Sequence, residues 1–362
     1  MDTGFDIAIV GAGMAGASLA AAVGGRARVL LLEAEDSPGY HATGRSAAFW
    51  TESYGGPGVQ PLTTASGPVL RDLGVLTPRS ALTLGRAGQE ADVAAFAARY
   101  PAVAMQLLDR DGILARVPAL RPEWTCGALE PSTCDIDVAA LHQHYLREAR
   151  RAGVELWCRA GLTGAERTAD GWELALAVGR TARARVLVDA AGAWADDVAR
   201  LAGVAPVGIV PYRRTIAQVA VAADVPDDLP LVLDVAERFY FKPESGRLWL
   251  SPHDETPSSA CDAAPEEIDV ALAVDRLEQV VDWPVERVEH RWAGLRSFAP
   301  DRLPVYGFAP QDAAFFWFAG QGGFGIQTAP AAADLGARLL LGAGPGAVDP
   351  QPFAPQRFSC RS

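Results

Sequence analysis

The sequence predicts an α/β fold, α+β overall, in which a doubly wound parallel-sheet domain is interleaved with a second, sheet-containing domain. Three observations carry this expectation. A strand–glycine–helix–strand unit opens the chain at Phe5–Glu35, two further strand–glycine–helix units start at Ala184 and Ala314, and the stretches between them are rich in proline, acids and short alternating runs.

In the first unit, Asp6–Val10 reads as a short buried strand, followed at once by Gly11-x-Gly13-x-x-Gly16 and an alanine-rich helix to about Val23. Arg28–Leu32 reads as a second apolar strand that ends on Glu33 and Ala34. Gly11 suits the tight turn, Gly13 the close approach of a pyrophosphate, and Gly16 the packing of helix on strand. Met14 and Ala15 then offer helix N-terminal N–H groups to phosphates. Glu33 can accept hydrogen bonds from both ribose hydroxyls. Together these form a Rossmann-like dinucleotide site, although the motif alone does not separate NAD from FAD.

The second unit runs from the apolar strand at Ala184 into Ala190-Ala191-Gly192-Ala193-Trp194 and a helix with Asp196 and Asp197 in its first turn. The third has a strand at Phe315–Phe318, a turn containing Gly320, Gly322, Gly323, Phe324 and Gly325, and a helix expected near Ile326. A cofactor domain assembled from separated segments is the habit of flavoproteins, where the long FAD molecule is held at several places. The expected division is residues 1–80, 141–205 and 291–362 for the FAD-binding domain and 81–140 and 206–290 for the substrate domain.

The composition is globular, with 49% hydrophobic and 21% charged residues among 362. Net charge is −12 without a basic cluster, which argues against nucleic acid. Met1-Asp2-Thr3-Gly4 leaves no room for a signal peptide before Phe5, and no apolar run approaches the roughly 18 residues of a spanning helix. The five cysteines, Cys126, Cys134, Cys158, Cys261 and Cys360, make no C-x-x-C pair and read as reduced cytoplasmic thiols. The five histidines have no metal-ligand spacing, so no metal is expected.

The segments "PGYHATGRSAA", "DIDVAALHQHYLR", "DAAGAWAD", "FYFKP", "WAGLRSF" and "FFWFAGQGGFGIQT" resemble the FAD-dependent amine and D-amino-acid oxidoreductases, the group of glycine oxidase and sarcosine oxidase. Within that group they are most similar to the bacterial D-arginine dehydrogenases. The resemblance implies non-covalent FAD. It places His41, Thr43, Gly44, Arg45, Ser46, Ala47 and Ala48 along the isoalloxazine ring, and Phe49, Trp50, Thr51, Glu52, Ser53 and Tyr54 in a mobile lid ending at Gly55-Gly56. It implies that Arg296 clamps the substrate carboxylate, that Arg214 lies near it, and that Tyr240 and Tyr54 contact the substrate or cover the pocket. Gly294 and Gly323 match glycines whose carbonyls face the substrate amine. The acid that holds a cationic side chain in D-arginine dehydrogenase is replaced by Ala81, and the lid histidine by Phe49. With Trp50, Leu82 and Leu84 these suggest an apolar pocket, which Glu52 could recharge by turning inward. The stretch "SPHDETPSSACDAAPEE" reads as a solvated loop, with "PHDET" near the cleft mouth.

The resemblance implies oxidation of a neutral D-amino acid to the imino acid by hydride transfer from Cα to flavin N5. Alternatives are a secondary-amine oxidase, a flavin-binding subunit without turnover, and a nicotinamide dehydrogenase. The sequence does not distinguish oxygen, a quinone or another carrier as the flavin's oxidant.

Overall fold

The computed structural model describes residues 4–344 and 346–358. Met1–Thr3, in the N-terminal reading above, and Cys360 lie outside them. The first strand, Gly4–Val10, pairs in parallel with Val29–Leu32 on one edge and with Thr181–Asp189 on the other. Along its second half, Thr181–Asp189 continues the parallel sheet to Asp312–Ala319, at Leu187, Val188 and Asp189. The strands of all three glycine-rich units therefore finish at the same end of one sheet. The sheet is buried on both faces, which is why its strands read as unbroken apolar runs. One face packs Ile7, Ile9, Val188, Phe316 and Phe318 against Leu19 and Leu335 of the helices Met14–Val23 and Ala329–Leu340. The other packs Ala8, Val10, Leu30, Leu187, Phe315 and Trp317 around Trp172. The last α-helix starts at Ala329, three residues beyond the expected Ile326, because the residues after the short strand Gln321–Gly322 form turns up to Thr328.

The second sheet is dominated by Val210–Val221 paired antiparallel with Val285–Phe298, in one register from Val210↔Phe298 to Gln218↔His290, with bulges beyond it. Tyr240–Glu244, Arg247–Ser251, Ala81–Arg86 and Trp124–Glu130 extend it. The strand Val285–Phe298 runs through position 290, where the sequence suggested a boundary, because its pairing with Val210–Val221 continues on both sides of a bulge there. Side chains alternate across this sheet. Arg214 and Ile216 line the cleft, whereas Arg213 pairs with Asp269 of the helix Glu267–Glu278, and Ala217 packs beside Leu277 of that helix. A small third sheet joins Phe49–Trp50, Leu76–Pro78 and Cys134–Ile136.

A candidate cofactor cleft and active site

The glycine loop is shaped as its spacing suggests. Gly11 has φ +100°, and a Cβ there would lie 2.5 Å from the Ala190 carbonyl oxygen. A Cβ on Gly16 would stand 1.8 Å from the Gly11 carbonyl oxygen, so helix and strand meet only as glycines. Glu33 is buried at the end of its strand. Its Oε2 accepts from the Ala12 N–H (3.2 Å) and its Oε1 from the Glu35 N–H (3.0 Å). His142, which sequence reading left without a role, donates from Nε2 to the Ala12 carbonyl at 2.9 Å. Burial lowers its pKa, so it holds the loop as a neutral ring. Thr43 Oγ1 accepts from the Met14 N–H at 2.9 Å.

These groups open onto a cavity of about 480 Å³. One part is walled by Glu33, Gly161, Leu162, Trp194 and Val198, an apolar slot beside a carboxylate. The His41 ring packs on Trp194 at 4.6 Å and bonds Glu35 at 2.9 Å. Another part is walled by Ser46–Phe49, Gly294–Ser297, Gly322, Gly323 and Gly325–Gln327. Of the residues expected beside the cofactor, all line this cavity except Gly16, Gly44, Gly320 and Phe324. These four shape it from behind: Gly44 abuts Gly39, Gly320 abuts Ile209, and Phe324 packs on Phe298 and Tyr54. A buried acid at a strand end, a glycine loop that no side chain could occupy, and an apolar slot in one continuous cleft fit FAD.

Phe49, Tyr54, Arg214, Tyr240, Gly294, Arg296 and Gly323 also line the cavity. Arg296 Nη2 donates to the Tyr54 hydroxyl at 3.2 Å, and Phe49 lies between Tyr54 and Tyr240, at 5.0 and 6.1 Å. Burial raises the pKa of Tyr240 and keeps it a neutral phenol. Gly323 has a more specific reason than room for an amine: a Cβ there would fall 2.2 Å from Arg296 Nε and 2.3 Å from Nη2. Gly294 likewise abuts the Arg45 side chain, at 3.4 Å.

Several expectations are corrected. Trp50 points away from the cleft into a core with Met14 and Leu70, its indole N–H donating to the Thr63 carbonyl. Ala81 lies behind Phe49 and Tyr240 rather than in the wall. Leu82 and Leu84 face the core shared with the helix Glu267–Glu278, and Thr51 is buried against Thr133 and Gln327. The lid segment is fastened rather than loose. Glu130, paired in register with Ala81, accepts from the Ser53 hydroxyl (2.5 Å) and the Glu52 N–H (2.9 Å). Burial raises the pKa of Glu130. Glu52 does not turn inward; its carboxylate accepts from Thr64 at 2.6 Å.

The loop read as solvated, with "PHDET" near the cleft mouth, brings Glu255 onto the two cleft arginines. Glu255 Oε1 accepts from Arg296 Nη1 at 2.6 Å, Arg302 Nη2 at 2.8 Å and Arg214 Nη2 at 3.3 Å. Burial works to raise the Glu255 pKa, but Arg296, Arg302 and Arg214 outweigh it and hold it below the usual carboxylate value. Asp254 accepts from the Thr215 N–H and hydroxyl, and its carbonyl accepts from Arg214 Nε. Arg214 Nη1 is buried and has no hydrogen-bond partner.

A family model described as DAO, FAD dependent oxidoreductase, matches residues 6–339. The chain belongs to this family. FAD is therefore the cofactor of this DAO-family chain, and the cleft is where its residues would hold it. A glycine oxidase from Pseudomonas putida is 30% identical over 176 residues, 47% of this chain and 45% of that protein, so the match spans about half the length of the curated relative. The fold extends further. Glycine oxidase from Geobacillus kaustophilus superposes with a TM-score of 0.85 at 23% identity, covering 97% of this chain and 98% of that one. L-proline dehydrogenase from P. horikoshii gives 0.85 at 17% identity, covering 99% of both. No helix among the described residues is long and apolar enough to cross a membrane.

Proposed function

We propose that this DAO-family chain oxidises a D-amino acid with a neutral, apolar side chain to the imino acid. The observation that carries the reading is the pair of buried arginines in one cleft wall, with Arg214 Nη1 unpartnered. A buried cationic donor without a partner is costly, and a substrate carboxylate would satisfy it with a charge-assisted bond. FAD, when bound, supplies the hydride acceptor.

The protein's share of the work is then positioning. Arg214 and Arg296 fix the carboxylate, Tyr240 and Tyr54 bound it with hydroxyls, and Gly294 and Gly322–Gly323 leave backbone beside the Cα. Held at three sides, the substrate presents one hydrogen to the ring, which is an alignment contribution and needs no acid or base. The D configuration rests on the resemblance to D-amino-acid dehydrogenases, as does the cytoplasmic location on the scattered cysteines. The neutral side chain is supported by the wall. Among the described residues, the carboxylates lining the cavity are Glu33, Glu35 and Asp197, all of the glycine-loop and Trp194 region, and Phe49 faces the substrate part. A guanidinium there would lack a counter-charge and lose several kcal/mol even after relaxation. Oxidation of a secondary or cyclic amino acid is a second reading, supported by the likeness to a protein named L-proline dehydrogenase.

Steady-state kinetics with D-leucine, D-phenylalanine, D-lysine, D-arginine and L-proline test this. The apolar D-amino acids should exceed the basic ones by two orders of magnitude in kcat/KM. D-arginine as the best substrate contradicts the pocket reading, and L-proline as the best selects the second.

A further inference from the structure

Glu255 is not needed to line the cleft, yet its carboxylate sits on the two arginines that do. It is not among the residues lining the cavity, yet it takes Arg296 Nη1 and Arg214 Nη2, while Arg302, half exposed, brackets both its oxygens at 2.8 and 3.0 Å. With Arg296 Nη2 on Tyr54 and Arg214 Nε on the Asp254 carbonyl, the free donor on Arg214 is Nη1. An internal carboxylate thus already takes one donor from each of the two arginines that line the cleft, and Arg214 Nη1 is left for a ligand. Asp254, 3.9 Å from Arg214 Nε, holds a second negative charge close by.

We propose that Glu255 is a specificity-determining residue that restricts the cleft to substrates bearing a single carboxylate. This rests on the reading of Arg214 and Arg296 as the carboxylate site. A dicarboxylate brings a second anion next to Glu255, which already takes Arg296 Nη1 and Arg214 Nη2. Like charge and competition for those two donors both act against it, which is discrimination by repulsion as well as by fit. Without Glu255, Arg296 Nη1 and Arg214 Nη2 become available and the net charge rises by one. A second carboxylate on the same ligand can then replace the lost one. Removing one member of a buried ion pair leaves the other strongly in need of a partner, which is the driving force for that gain.

The test is anion binding to the FAD-loaded enzyme, read from the visible flavin spectrum with acetate and malonate, neither of which carries an amine to oxidise. Wild type should bind acetate at least tenfold more tightly than malonate. Glu255→Ala should invert the preference, a change of a hundredfold or more in the malonate-to-acetate ratio. Glu255→Asp, which keeps the charge, should retain the wild-type ratio. Glu255→Gln keeps the side-chain volume and decides the matter if the alanine variant does not fold; its ratio should move the same way by at least threefold. An unchanged ratio in the neutral variants, or no response of wild type and variants to either anion, overturns the proposal. D-leucine and D-aspartate added anaerobically separate this from the oxidation reading. If neither these nor other amines reduce the flavin, the oxidation reading fails, while the anion ratio still decides the role of Glu255.

Discussion

Lowering the pH from 7 to 5 loads the folded protein with a cost that originates at one imidazole. His253 is partly buried, edge-on to the Tyr240 ring at 5.9 Å. Burial first, and then the Arg214 and Arg296 cations, lower its pKa from 6.5 to about 2. The unfolded chain takes up a proton at His253 near pH 6.5, and the folded chain does not. A folded pKa below the unfolded one gives stability that is fully present above 6.5 and is lost as pH falls toward 2. At pH 5 the gap is about 1.5 pH units at about 1.4 kcal/mol each, so His253 removes at most about 2 kcal/mol of stability relative to neutral pH. His253→Asn is the suitable variant, since the position has φ +55° and asparagine tolerates the left-handed region. Urea denaturation at pH 7 and pH 5 should show wild type losing about 2 kcal/mol more than the variant. Equal losses would refute the placement of a neutral imidazole against the two arginines.

Three further outcomes follow from the cleft. Gly323→Ala should lower kcat/KM by about tenfold to a hundredfold with flavin content unchanged, because the new Cβ displaces the Arg296 guanidinium and each charge-assisted bond it makes is worth roughly 1.5–3 kcal/mol; kcat and KM measured on the FAD-replete variant check it. Glu33→Ala should weaken FAD retention by about tenfold or more, since the loop N–H of Ala12 and the ribose hydroxyls lose the same charged acceptor; flavin-to-protein ratio after gel filtration is the readout. Acid precipitation should release all of the flavin into the supernatant. Cys261 is the one cysteine among the described residues that lines the cavity, so flavin retained on wild type but released from Cys261→Ser would place a covalent link there.

The parts of this molecule that were legible in its sequence are those set by local rules. The Gly11–Gly16 loop, the acid Glu33 and the three strand–glycine–helix units follow from backbone sterics and apolar runs, which act over a few residues. Arg296 stood out as a charge among apolar neighbours, whereas Tyr240 was singled out by the family resemblance alone; both line the cleft. The pocket wall was read less well. Leu82, Leu84 and Ala81 were grouped as one apolar lining, although strand alternation sends the two leucines to the opposite core. Trp50 was assigned to the cleft with its neighbour Phe49, and the same period-2 rule separates them. Glu255 was the hardest to foresee. It is one acid in a loop of proline, serine and other acids, and its importance comes from a tertiary contact with Arg296, 41 residues away, that no periodicity encodes. Glu130 and His142 are similar cases, since each acts through a backbone group distant in sequence, Glu52 N–H and the Ala12 carbonyl respectively.

The proposed role of the two arginines in the wall is to hold an amino-acid carboxylate beside the flavin. The most direct measurement mixes the FAD-loaded protein anaerobically with D-leucine, L-leucine and D-arginine and follows flavin bleaching, in wild type and Arg296→Met. Rapid bleaching by D-leucine alone, slowed by orders of magnitude in the FAD-replete variant, is the predicted result. Bleaching by D-leucine at the same rate in both proteins would contradict it.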